Sequence, residues 1–269
     1  MIFGAALTCN ARSRQTSDGS IRLNTISGIP VVDGVLLNGH GPYRFVLDTG
    51  AQTNQVEASL AGEIGLAPAF QVPMRTVAGT VPVDGGRVEE VSLGSATASG
   101  QLFLFTALDG PHSLSTGIKG VLGQNFLARF DYLLDFANHR LVIGEPAPEG
   151  GNRVDLKTIH GCPAIETSEG TLILDSGANS TILYRSTSAA VDAPTIRTDF
   201  STVSASPIAG LRLRIAEREY HPANAVSIPK VLPSGDGLLP ASLFHAVFVS
   251  NSGQYAILDP SADSGKRRL

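Results

Sequence analysis

Along this chain the apolar positions fall in short runs of β-branched and aliphatic residues cut at close intervals by Gly, Pro, Asn and Asp, a pattern of strands and turns. From Ile21 to Leu37 the run is broken at Ser27-Gly28 and Asp33-Gly34, which predicts hairpin strands. A turn at Asn38-Gly39-His40-Gly41-Pro42 leads into a strand from Tyr43 to Leu47, and Val56 to Leu66 carries apolar positions at helical intervals. Thr76 to Pro82 and Arg87 to Leu93 flank Val83-Asp84-Gly85-Gly86, which predicts a hairpin placed to project over a cleft. Gln101 to Ala107 reads as a further strand. After Gly120-Val-Leu-Gly-Gln-Asn-Phe-Leu127, Tyr132 to Phe136 and Arg140 to Ile143 bracket Asn138 as a hairpin.

This order recurs. A breaker-rich segment follows, and beyond it an apolar run ends at Asp175, with a weak second hairpin candidate near Phe200 to Pro207. Strands at Leu211 to Ile215 and Ala223 to Ile228, then Gly237-Leu-Leu-Pro-Ala-Ser-Leu-Phe244, lead to a closing hairpin from Ala246 to Leu258. The stretch from Asp175 to Gly237 is shorter than that from Asp48 to Gly120, as in a trimmed copy. The expected organisation is a tail over 1–20, a first lobe over 21–146, a linker over 147–152, a second lobe over 153–260 and a tail over 261–269.

Composition changes this picture little. Charged residues make up 16%, with 29 Gly and 16 Pro, which suits a turn-rich, mostly β protein. A net charge of −4 gives no electrostatic footprint for nucleic acid, and the basic cluster Lys266-Arg267-Arg268 reads as a solvated tail. Cys9 and Cys162 are too few for a disulfide framework and read as free thiols, and the six histidines never fall at metal-ligand spacing, so neither metal nor cofactor is expected. No apolar run is long enough to span a membrane. The opening MIFGAALTC reads either as a disordered end or as the remnant of an export signal, the second of which points to a periplasmic or secreted protein.

Chemistry enters through a duplication. Phe45-Val-Leu-Asp-Thr-Gly-Ala51 and Leu172-Ile-Leu-Asp-Ser-Gly-Ala178 each carry three apolar residues into a carboxylate and a Gly turn. A carboxylate carried toward low dielectric must be hydrogen-bonded, paired or protonated. Two of them in matched settings suggest one shared site.

The pair Asp48-Thr49-Gly50-Ala51 and Asp175-Ser176-Gly177-Ala178 resembles the pepsin and retropepsin aspartic peptidases. The Ala after each Gly, the Gly120-Val-Leu-Gly123 element and Leu134-Asp135-Phe136 are closer to retropepsin-like bacterial proteins, and the resemblance covers about residues 21 to 258. It implies an all-β, bilobal acid-protease fold of two pseudo-symmetric closed β lobes with short helices, paired within one monomeric chain, and an endopeptidase acting on peptide or protein. It also implies a catalytic dyad of Asp48 and Asp175, turn support from Thr49, Gly50, Ser176 and Gly177, and substrate binding by Ala51, Gln52, Ala178 and Asn179. Because Ala51 and Ala178 carry no hydroxyl to donate to the carboxyls, the expected optimum is mildly acidic rather than pepsin-like. One departure stands out: Pro240 occupies the place of Gly123 and removes a backbone donor beneath the second turn. The alternatives are a non-catalytic peptide-binding module on the same fold, and lobes that pair between chains.

Overall fold

A computed structural model describes residues 19–76, 79–185, 195–197, 202–229 and 235–261. Cys9, the basic C-terminal cluster, the residues before 19 and part of the second hairpin candidate lie outside these. The described chain is mostly strand, with helices of no more than six residues, and none is long and apolar enough to cross a membrane. Two sheets dominate, one of thirteen strands and one of seven.

Turn chemistry sets the first hairpins. Ser27 and Gly28 both take positive φ (52° and 83°), as do Asn38 and Gly39 (50° and 79°). Two successive left-handed residues give the tight turn whose twist matches antiparallel strands. The strands Ile21–Ile26, Ile29–Leu37 and His40–Leu47 follow as a meander. Asp33-Gly34 is not a turn: it lies inside Ile29–Leu37, where the register to His40–Leu47 shifts as a bulge. The predicted helix shrinks to Ala58–Glu63, because Asn54–Glu57 is drawn into the sheet as a strand.

The hairpin expected around Val83-Asp84-Gly85-Gly86 needs correction. That segment lies within one long strand, Gly79–Leu93, whose antiparallel partner Phe70–Thr76 pairs with it from Phe70↔Gly85 to Thr76↔Gly79. The glycines serve close packing. A Cβ on Gly85 would lie 2.4 Å from the Phe70 ring and one on Gly86 2.7 Å from the Ala67 carbonyl oxygen. Two adjacent glycines read as a turn when no neighbour is visible; here they make room for an aromatic ring and a passing backbone.

Strands from distant parts of the chain meet in the large sheet. Asn152–Asp155, Tyr255–Leu258, Ala246–Ser250, Tyr132–Asp135, Arg140–Ile143 and Ile21–Ile26 lie side by side in that order. The pairing of Ala246–Ser250 with Tyr132–Asp135 joins the two halves of the sequence. A single buried cluster runs through both, from Leu23, Leu47 and Leu122 to Leu174, Leu183, Leu239 and Val247. Each such fully buried aliphatic side chain contributes about 1.5–3 kcal/mol, so the halves are held by apolar burial as well as by sheet pairing. From Gly144 to Gly151 the chain forms neither strand nor helix.

Candidate active site

Each duplicated motif sits at the end of a strand buried on both faces, which is why its apolar residues are consecutive rather than alternating. His40–Leu47 delivers Asp48 and pairs in parallel with Ile118–Leu122; Asn54–Glu57 runs antiparallel to that same strand and parallel to Ala96–Thr106. Gly170–Asp175 delivers Asp175 and pairs in parallel with Gly237–Pro240; Thr181–Tyr184 runs antiparallel to it and parallel to Ala225–Ile228. The pairing is the same, position by position: Leu47 faces Leu122 as Leu174 faces Leu239.

The two turns clasp each other reciprocally. The Thr49 hydroxyl donates to the Leu174 carbonyl at 2.5 Å and accepts from the Ser176 backbone N–H at 2.9 Å. The Ser176 hydroxyl donates to the Leu47 carbonyl at 2.7 Å and accepts from the Thr49 N–H at 3.0 Å. Both side chains are 1% exposed, so each bond replaces water that the site cannot admit. A hydroxyl is required because each must donate and accept at once.

The clasp sets one carboxyl against the other. The Asp48 carboxyl faces that of Asp175, near enough for the one to act on the ionisation of the other. Each carboxyl also lies over the other motif's glycine: a Cβ on Gly50 would be 2.4 Å from Asp175 Cγ, and one on Gly177 2.5 Å from Asp48 Cγ. Only glycine permits that approach. Asp48 Oδ1 accepts from the N–H groups of Gly50 at 2.8 Å and Ala51 at 3.0 Å, and Asp175 Oδ1 accepts from the Gly177 N–H at 2.8 Å. Asp175 is 7% exposed, while an edge of Asp48 reaches solvent. Burial, followed by the charge of Asp175, holds the Asp48 carboxyl well above the usual carboxylate range, against the lowering effect of the two N–H donors.

The structure therefore brings Asp48, Thr49, Gly50, Asp175, Ser176 and Gly177 together. Ala51 and Ala178 are half-buried beside them, whereas Gln52 and Asn179 are exposed at the outer edges of the turns. Among the described residues no group of three or more His, Cys, Asp or Glu side chains is arranged to hold a metal ion.

Several contributors lay outside the sequence reading. Asn54 accepts the Gly123 N–H at 2.9 Å on Oδ1, and the Gln124 amide donates to the Thr49 carbonyl at 2.8 Å. The Cys162 thiol, 2% exposed, donates to the Gly50 carbonyl at 3.2 Å. A signal for the last did exist. Thr25-Ile-Ser-Gly-Ile-Pro-Val31 and Thr158-Ile-His-Gly-Cys-Pro-Ala164 form a second internal repeat, and His160 and Gly161 turn with φ of 51° and 81°, as Ser27 and Gly28 do.

Residues 34–126 match the aspartyl protease family model, about a third of the chain, which includes the first motif and ends before the second. No curated protein matches the chain.

Proposed function

We propose that the chain is an aspartic endopeptidase in which Asp48 and Asp175, one from each of two tandem lobes, share a proton and activate a water against a peptide carbonyl. The observation that carries this reading is the reciprocal clasp of Thr49 and Ser176 with each carboxyl seated on the other motif's glycine. Carboxylates in direct contact cannot both ionise, a rule best known from aspartic proteases themselves. The ionised partner takes a proton from water as the oxygen attacks; the protonated partner donates to the carbonyl oxygen that becomes the oxyanion. Both roles are thus filled at one pH, without a third side chain.

Two lobes are supported by the repeated strand pairing around each motif, and pairing within one chain by the sheet that joins Ala246–Ser250 to Tyr132–Asp135. The return pairing of Leu36 and Leu37 with Ser92 and Val91 supports closure of the first lobe. In this reading the four backbone positions flanking the dyad, Ala51, Gln52, Ala178 and Asn179, hold an extended peptide. The test is hydrolysis of an unfolded protein substrate. Asp48→Asn and Asp175→Asn, each verified as folded by circular dichroism, are each expected to abolish it. A wild-type protein that binds peptides yet never cuts them would make the chain a binding module.

A further inference from the structure

The two peptide groups whose N–H donors reach Asp48 are themselves held at their far ends. Gly50 N–H belongs to the peptide unit whose carbonyl is Thr49 O, and that oxygen accepts from Gln124 Nε2 at 2.8 Å. Ala51 N–H belongs to the next unit, whose carbonyl is Gly50 O, and that oxygen accepts from Cys162 Sγ at 3.2 Å. Donor, peptide and carboxyl thus form two chains of consecutive hydrogen bonds that converge on one atom, Asp48 Oδ1. A hydrogen bond to a peptide oxygen polarises the same unit's N–H and makes it a better donor.

The mirror positions lack this chemistry. Strand register places Ala241 where Gln124 stands, one residue after Pro240 and Gly123 respectively, and Ile29 where Cys162 stands in the repeated hairpin. Neither Ala241 nor Ile29 has a side-chain donor, so the peptide unit that serves Asp175 through the Gly177 N–H receives nothing equivalent from them. Gln124 is 5% exposed and lies beside the buried Tyr132, so its amide works in a setting of low dielectric.

We infer that Gln124 and Cys162 are positioning residues that act through these two peptide units to place the dyad's negative charge on Asp48 and its proton on Asp175. This rests on the dyad reading above and assigns to each aspartate its own role: Asp48 takes the proton from water and Asp175 donates to the carbonyl. The titratable groups facing the pair are Cys162, whose thiol is pushed up to about 12 by burial and by both aspartates, and Tyr184, raised by burial and by Asp175, with Tyr132 raised by burial behind Gln124. None of these ionises where carboxyls do, so the acid range reports the dyad alone.

The test is a pH titration of the protein labelled with 13C at the aspartate carboxyls, with the two resonances assigned from Asp48→Asn and Asp175→Asn spectra. The first deprotonation is expected on the Asp48 resonance. Gln124→Leu is expected to move it up by about half a pH unit, a roughly three-fold change in ionisation constant. Cys162→Ala is expected to move it by less, and Cys162→Ser, which keeps a donor, to restore it. First ionisation at Asp175, or an unmoved Asp48 titration in folded Gln124→Leu and Cys162→Ala, would overturn the inference; should Gln124→Leu not fold, the Cys162 pair decides. The readout needs no turnover, so a protein that titrates as stated but cleaves nothing would refute the peptidase reading alone.

Discussion

The turns after Leu47 and Leu174 follow the same backbone path but are supported from beneath by different chemistry. Under the first, Gly123 offers an N–H and Asn54 accepts it. Under the second, Pro240 has no N–H to offer, and the position matching Asn54 is Thr181, whose buried hydroxyl has no hydrogen-bond partner among the described residues. The proline does not distort the strand: Gly237–Pro240 still pairs in parallel with Gly170–Asp175, Asp175 opposite Pro240. A hydrogen bond on one side is replaced on the other by a residue that lacks the donor and a neighbour that no longer needs to accept. Symmetry at the carboxyls is thus compatible with asymmetry one layer below, because the clasp of Thr49 and Ser176 fixes the turns whatever lies underneath.

The comparison is broken most completely at the glycines. A methyl at Gly50 or Gly177 would overlap the opposite carboxyl, so Gly50→Ala and Gly177→Ala are expected to lower kcat/KM by at least about a hundred-fold each, measured on an unfolded protein substrate. Next come the clasping hydroxyls. Thr49→Val and Ser176→Ala each strand a buried N–H and a buried carbonyl, at a cost of about 2–4 kcal/mol; urea unfolding is expected to give nearly equal losses, since the clasp is symmetric.

Smaller changes sharpen the difference beneath. Asn54→Leu leaves the Gly123 N–H unpaired and is expected to cost about 1–3 kcal/mol, whereas Thr181→Val removes an unpartnered hydroxyl and is expected to be neutral or stabilising. Equal losses at the two sites would contradict the account. The smallest expected effect is on the pH dependence of stability. A carboxyl raised in the folded state favours folding while it stays protonated, and that advantage is lost as pH climbs through its folded value. Asp48→Asn removes one of the pair's two coupled ionisations and takes a like charge away from Asp175, so its urea midpoint is expected to exceed the wild type's at pH 7 and to converge on it in acid.

Much of this site could be read from the residues because its essential features are local. An apolar run that stops at Asp-Thr-Gly or Asp-Ser-Gly carries strand, turn and acid in seven consecutive residues, and the hairpin turns at Ser27-Gly28 and Asn38-Gly39 are equally self-contained. What escaped was decided at a distance. Gly85 and Gly86 carry no mark that distinguishes a turn from room for Phe70, and nothing about Gln124 or Asn54 in isolation says that the Thr49 carbonyl lies against the one and the Gly123 N–H against the other. The Pro240 substitution was visible, but its harmlessness depended on Thr181, which only strand register connects to it.

The central claim, one carboxyl from each half of a single chain, is tested most directly by mixing. Asp48→Asn and Asp175→Asn proteins are assayed on an unfolded protein substrate separately and then as an equimolar mixture incubated to allow exchange. The account predicts no cleavage in all three samples beside an active wild type, because each chain carries its own damaged pair. Cleavage by either variant alone, or restored in the mixture by carboxyls meeting between chains, would contradict it.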